Sequence, residues 1–158
     1  MKKFFVGLFL VAALLFVLLP QPKLSYQKPL WGFSYSPKYA SSLDLDWRQS
    51  YIFLLDELKP PSVRVPLYWD ETETTPRVFS FERLEFLLAE AYKRNIPVVL
   101  NVGYRVFRYP ECHVPEWAKT FSQHELEDAE RSYLSGVVLY LSETSLAASV
   151  EAIQIENE

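Results

Sequence analysis

The sequence predicts an α/β protein with parallel strands, on three observations. Short apolar runs rich in β-branched residues alternate with segments of helical period between residues 31 and 155, in the order β-α-β-α-β-α-β. That alternation requires parallel strands joined by right-handed crossovers. Residues 97–102 (PVVLNV) are almost wholly apolar, as expected of a strand covered on both faces. The turn after the first strand, Ser36-Pro37-Lys38-Tyr39, holds no glycine. A doubly wound nucleotide-binding sheet would carry a glycine-rich turn there, so a (β/α)8 TIM barrel is favoured. Only its first four strands are written, which makes the expected fold a half-barrel behind an N-terminal hydrophobic segment.

Each element has a local reason. Residues 4–19 are an apolar run of 16 residues behind Lys2 and Lys3, the charged and hydrophobic regions of an export signal. At ~1.5 Å per residue the run reaches roughly 24 Å, short of a ~30 Å hydrocarbon core. No small-x-small cleavage site follows it, so two readings stand: a signal peptide cut at an atypical site, or an uncleaved signal anchor with slight bilayer thinning. Both leave the lysines cytoplasmic and the rest extracytoplasmic, secreted or anchored to the membrane. The division is residues 1–20 as leader, 21–30 as a proline-bearing linker and 31–158 as the folded part.

Residues 31–36 read as a first strand ended by Pro37. Asp46 caps a helix over Trp47–Leu58, with Gln49 placed for a capping box and Tyr51, Leu54, Leu55 and Leu58 on one face. Pro60-Pro61 stops it. Residues 62–69 (SVRVPLYW) form the second strand. Ser80 is placed to cap a helix over residues 81–94 with Leu84, Leu87, Leu88 and Ala91 in phase. Residues 97–102 form the third strand. Ser122 and Glu125 make a capping box for a helix reaching about Leu141, with Leu126, Ala129, Tyr133, Val137 and Tyr140 on its inner face. Residues 150–155 form the fourth strand.

Composition narrows the function classes. The chain has 158 residues and a net charge of −4 from 16 basic and 20 acidic residues. A surface built to neutralise phosphates needs a basic excess, so no nucleic-acid partner is expected. Cys112 is the one cysteine, which excludes an internal disulfide, and with only His113 and His124 beside it a closed zinc site is not expected. No metal and no cofactor is expected. Aromatic residues make up 16%, a content that suits either stacking on flat ligands or an ordinary core.

The second strand alternates. Val63, Val65 and Leu67 share the parity that faces the helices, while Arg64, Pro66, Tyr68 and Asp70 share the other and face the interior. An arginine inside a barrel needs a carboxylate or a polar ligand; a strand-edge arginine at the surface is the alternative. The fourth strand runs into Glu156-Asn157-Glu158. A carboxylic acid at the C-terminal end of a barrel strand sits where such enzymes react. In glycoside hydrolysis one carboxyl group protonates the leaving oxygen while a second attacks or activates water. A solvated acidic terminus is the bland alternative.

The four strands resemble the first half of the clan A glycoside hydrolases, in particular family five cellulase-like barrels. Three segments carry the likeness: Ser62-Val63-Arg64-Val65-Pro66 is similar to an R-x-P second strand; Asn101-Val102-Gly103-Tyr104-Arg105 with Pro110-Glu111-Cys112-His113-Val114-Pro115-Glu116-Trp117-Ala118 is similar to the third-strand end and loop of some bacterial members; Ile153-Gln154-Ile155-Glu156-Asn157-Glu158 is similar to a fourth strand closing on Asn-Glu. The order and spacing match over roughly residues 31–158. The resemblance implies a retaining hydrolase of O-glycosidic bonds in a polysaccharide or oligosaccharide. It implies Glu158 as general acid/base, Asn157 as the contact to the sugar 2-hydroxyl and Arg64 as the arginine ordering the nucleophile side. Many members place a histidine at the third-strand end; this chain has Leu100-Asn101-Val102-Gly103 there, with His113 on the following loop as a candidate substitute.

Tyr35, Tyr68, Trp69, Tyr104 and Trp117 lie at or after strand ends and are candidate substrate-binding residues with His113; packing within the loop layer is the alternative for each. Asp70 and Glu71 are expected at the loop rim. A full barrel takes ~250 residues, so strands five to eight and the nucleophile expected on strand seven are not in this sequence. The chain alone is therefore expected to be inactive: a fragment, a truncated gene product, or a half-barrel that self-associates. A membrane-anchored glycan-binding or scaffold protein without catalysis is the reading from another class.

Overall fold

The structure, a computed structural model, describes residues 31–108 and 110–157. The expected leader (1–20) and linker (21–30) lie outside the described residues. Among the described residues no helix is long and apolar enough to cross a membrane.

Four strands form one parallel sheet in the order β1 (Phe33–Ser34), β2 (Val63–Pro66), β3 (Val98–Val102) and β4 (Val150–Ile155). The register pairs Ser34 with Arg64, Pro66 with Asn101 and Asn101 with Gln154. A bulge at Val98/Val99 marks the β3–β4 ladder. Spatial order equals chain order, the arrangement in which each crossover helix returns to the neighbouring strand.

The helices are α1 (Pro37–Ser42), α2 (Trp47–Leu58), α3 (Trp69–Thr72), α4 (Glu82–Lys93) and α5 (Gln123–Glu143), with 3₁₀ turns at Glu116–Ala118 and Ser145–Ser149. The bounds of α2 are those expected, because both ends are written locally. The Asp46 carboxylate accepts from the Arg48 and Gln49 amides, and Lys59 closes the helix in the left-handed region, its amide returning to the Leu55 carbonyl. The capping box of α5 is complete, with Ser122 accepting from the Glu125 amide and Glu125 accepting from the Ser122 amide.

Four expectations are corrected. The first strand is two residues long, because Ser36 caps α1 and Pro37 occupies its first turn. The second strand stops at Pro66, and Trp69 begins the short helix α3 rather than ending the strand. Ser80 does not cap α4: its backbone amide is spent on the Thr72 carbonyl, and Phe81 takes the cap position without a side-chain bond. Leu58 is exposed at the last turn of α2 instead of sharing the buried face.

The core lies between the outward-facing strand residues and the helices. Val63, Val65, Val98 and Leu100 are fully enclosed, against Tyr51 and Leu55 of α2, Leu84, Leu87, Leu88 and Ala91 of α4, and Tyr133 and Val137 of α5. Gly136 lets α5 approach the loop before α4, since a Cβ there would stand 2.5 Å from the Phe79 ring.

Candidate functional site at the strand ends

The site is assembled where β1 to β4 end. Arg64 points inward, as its parity requires, while Val63 and Val65 are buried on the opposite face. Its Nε donates to Ser34 Oγ at 3.1 Å and its Nη1 to Gln154 Oε1 at 3.0 Å. One guanidinium thus links β1 to β4 across the interior. Of the two expected kinds of partner, a carboxylate or a polar group, the guanidinium has two neutral oxygens here. The Phe107 ring covers the guanidinium at 4.2 Å, and burial lowers the arginine pKa from its ordinary value.

The loop after β3 sets that cover. It folds back as a narrow hairpin, with Arg105 bridged to Cys112, the Val106 amide donating to the Glu111 carbonyl, and the His113 amide donating to the Tyr104 carbonyl at 2.7 Å. Val106 and Phe107 are buried at its base. Asn101 fastens it: Oδ1 accepts from the Phe107 amide at 3.2 Å, and Nδ2 donates to the Gln154 and Glu156 carbonyls. A polar residue fully enclosed at the end of β3 is therefore satisfied on both sides of its amide.

A second polar group stands on the rim. Lys38 Nζ donates to both oxygens of Asp70, at 2.8 and 2.7 Å, and lies 3.1 Å from His113 Nδ1. The ammonium sits over the Tyr68 ring at 4.6 Å, and the Tyr68 hydroxyl shares a 2.7 Å hydrogen bond with Ser36 Oγ. The segments after β1, β2 and β3 each contribute one member of the Lys38–Asp70–His113 cluster, from α1, α3 and the β3 loop in turn. Burial alone would raise the Asp70 pKa; the bonds from His113 and Lys38 outweigh it and hold the carboxyl below its usual value. Glu71 extends the cluster outward, 3.6 Å from Lys38 and 3.1 Å from Arg83. Asp70 and Glu71 thus occupy the expected rim.

The remaining candidates separate by burial. Trp69 is fully enclosed, stacked on Tyr133 at 5.3 Å with its indole N–H bound to Glu73 Oε2 at 2.7 Å. Tyr35 is buried against Tyr51, its hydroxyl donating to the Trp47 carbonyl at 2.6 Å. Tyr68 is buried between Lys38 and the His113 ring, at 4.6 Å from each centroid measure. All three rings are buried, and Tyr68 also lines a cavity with Arg48, Glu71 and Arg83. His113 is also buried, at 3% exposure, and meets the site through Lys38 and Asp70. Tyr104 and Trp117 are half-buried; Trp117 donates to the Glu73 carbonyl at 2.8 Å. Asn157 is half-buried beyond the end of β4, and Glu158 lies outside the described residues.

Residues the sequence did not single out prove central to the strand ends. Phe107 and Lys38 carried no periodic or motif signal of their own, and Asn101 stood in the third-strand segment without an assigned role. Glu130 and Glu156 meet beyond β3. Burial and the hydrogen bond and charge of Glu156 push the Glu130 carboxyl up to about 8.

No family model matches the sequence, and no curated protein matches it. Solved structures do. GH5_18 from Streptomyces cattleya, in complex with GlcNAc, superposes at a TM-score of 0.63 with 20% identity over 85% of this chain. The exo-β-1,4-mannosidase Op5Man5 from Opitutaceae bacterium strain TAV5 superposes at 0.64 with 19% identity over 80%. GH5_18 from Bifidobacterium longum gives 0.57 with 16% identity over 82%. The chain spans 35%, 24% and 34% of those three proteins, about a third of their length at most. What it shares with them is the fold: four adjacent parallel strands and covering helices.

Proposed function

We propose that the chain is the first half of a retaining glycoside hydrolase acting on O-glycosidic bonds of a polysaccharide or oligosaccharide. The observation that carries this reading is the Arg64 bridge: an inward arginine on β2, bonded to β1 and β4 across the strand ends. In this reading Glu158 protonates the leaving oxygen and later activates water, Asn157 holds the 2-hydroxyl and Arg64 orders the nucleophile. The nucleophile comes from a later strand of the completed barrel, with carboxyl groups ~5–5.5 Å apart. The mannosidase among the similar structures, and the GlcNAc and Manβ1-4GlcNAc bound by GH5_18, make mannosides and GlcNAc-containing glycans the first substrates to try. We place the protein outside the cytoplasm, secreted or held by its N-terminal segment.

Reading the frame downstream tests the proposal first. A glutamate-bearing strand-seven segment within about 100–150 further residues is expected, the remainder of a barrel; its absence sinks the reading. In the product of that frame, Glu158→Gln is expected to abolish release of sugar from manno-oligosaccharides while binding persists. A catalytically silent glycan-binding protein is the second reading, favoured by the Phe107 ring packed on Arg64; it requires glycan binding without turnover in the unsubstituted protein.

A further inference from the structure

A cavity of about 300 Å³ adjoins the rim cluster at Tyr68 and Glu71, with Arg48, Thr72, Glu82 and Arg83 among its other polar lining. That volume stands at the lower end of the ~300–1,000 Å³ of ligand pockets. Three helices supply the lining: Arg48 comes from the first turn of α2, Glu71 and Thr72 from α3, Glu82 and Arg83 from the first turn of α4. Two ion pairs organise it. Arg83 Nη2 meets Glu71 Oε2 at 3.1 Å, and Arg48 Nη2 meets Glu82 Oε1 at 3.2 Å on the more exposed side. Trp47 gathers both cations, its ring 4.4 Å from the Arg48 guanidinium carbon and 4.9 Å from that of Arg83. Arg83 Nη1 is buried without a hydrogen-bond partner, the one side-chain nitrogen or oxygen in that condition among the described residues. A buried donor left unpaired calls for an acceptor.

The lining selects a class of ligand. Two arginines face two glutamates, so an anion or a cation meets as much repulsion as attraction. An apolar ligand would leave the Arg83 donor unpaired. What fits is a neutral molecule that carries acceptors and donors on adjacent atoms. A guanidinium only donates and a carboxylate only accepts. An arginine–glutamate pair therefore matches a vicinal diol: one oxygen takes an N–H while a hydroxyl gives its proton to the carboxylate. Thr72 Oγ1 already donates to the Tyr68 carbonyl at 2.8 Å, so toward a ligand it acts as an acceptor.

We propose that this cavity binds one pyranose unit of a glycan, with vicinal hydroxyls bridging Arg83 and Glu71. The choice of a glycan rests on the glycoside hydrolase reading; the cavity and its paired, neutral lining do not. Arg83 Nη1 is enclosed, so a ligand oxygen meets it after a small turn of the guanidinium. Glu71 ties the cavity to the rim, since it also lies 3.6 Å from Lys38 Nζ. The Tyr68 ring stands between the two, 4.6 Å from Lys38 Nζ and 5.9 Å from the Arg83 guanidinium carbon. A sugar held by Glu71 and Arg83 is thus one side chain away from the Lys38–Asp70–His113 cluster. These are binding residues: no bond is made or broken in the cavity.

The test uses the product of the full reading frame, titrated with methyl β-mannopyranoside, with N-acetylglucosamine and with sodium sulfate. One of the two sugars is expected to shift the Trp47 indole N–H and the Thr72 and Arg83 amide resonances together, saturating in the millimolar range. Arg83→Met, which keeps an aliphatic stem against Trp47, is expected to weaken that binding about tenfold, as loss of a charged hydrogen bond does. Should Arg83→Met fail to fold, Glu82→Gln on the exposed side carries the test, with a loss of about threefold. Equal affinity in the folded variant and the unsubstituted protein overturns the proposal. So does a sugar that moves the Asn101 and Phe107 amides at the strand ends and leaves Trp47, Thr72 and Arg83 unmoved, a result that keeps the functional reading. Sulfate that saturates the three signals while neither sugar does overturns the neutral class. Signals moved by no probe overturn the proposal and leave the cavity to solvent. Sugar binding in the cavity of a protein that hydrolyses no glycan supports the pocket and overturns the functional reading.

Discussion

β3 and β4 lie side by side in the sheet, carry the same kind of residue at alternate positions, and meet opposite surroundings. Val98 and Leu100 of β3 are fully enclosed by helices. Ile153 and Ile155 of β4, on the equivalent parity, are 43% and 62% exposed. The β3 residues are held by apolar contact. β4 is held by its ladder to β3 and by polar bonds at its tip, from Asn101, Gln154, Tyr104 and Arg105 to Glu156. The sequence of β4 is apolar enough for a covered strand, so the difference lies in what packs on it and not in what it is made of. The same composition can specify a core or an open face, depending on a neighbour.

Substitution should break that comparison most sharply at its centre. Leu100→Ala is expected to cost ~2–5 kcal/mol by leaving a cavity among packed helices, read as a lower urea midpoint at unchanged slope. Gly103→Ala is next, at about 1–3 kcal/mol, because it places a Cβ in a strained backbone and against Glu156 Oε1; the loss should appear first as faster amide exchange at Tyr104. It would show that the tip, rather than the apolar face, anchors β4.

Two carboxyl groups sharpen the contrast through pH. Glu130 is raised from 4.5 to about 8, so the folded state binds the extra proton and stability falls as pH rises from about 4.5 to about 8. Glu130→Gln should flatten that decline. Asp70 has the opposite sign: its folded pKa is below 3.8, so its contribution is present above that value and is lost as pH falls through the lowered one. Asp70→Asn should remove an acid-side loss while leaving the neutral-to-alkaline slope in place. A matched urea series from pH 3 to pH 9 measures both. Ile155→Ala is expected to have the smallest effect, within ~0.5 kcal/mol. A cost comparable to that of Leu100→Ala would mean that the open face of β4 is covered in solution.

The fold was legible where local chemistry writes both ends of an element. Asp46 and Pro60-Pro61 delimit α2, Ser122 and Glu125 open α5, and the 150–155 run is β4 to the residue. The short helix α1 was missed although Ser36 and Pro37 form a sound start signal, because six residues offer no period to read. Arg64 could be aimed inward from parity alone. Its partners could not, since Ser34 and Gln154 reach it only through the registers β1–β2 and β3–β4. The Glu130–Glu156 contact joins a helix interior to a strand end, and neither residue stands out in its own segment.

Glu73 has an optical consequence. Its side chain takes the Trp69 indole N–H and the Arg77 amide, and its carbonyl takes the Trp117 indole N–H. Trp69 and Trp117 meet edge to face at 5.8 Å. Two of the four tryptophans of the chain are therefore wired to a single acidic residue in the loop after β2, while Trp31 stands in solvent. Emission from the enclosed indole should be blue-shifted and sensitive to that one residue, giving a built-in spectroscopic reporter on the loop layer above the sheet, distinct from the signal of exposed Trp31.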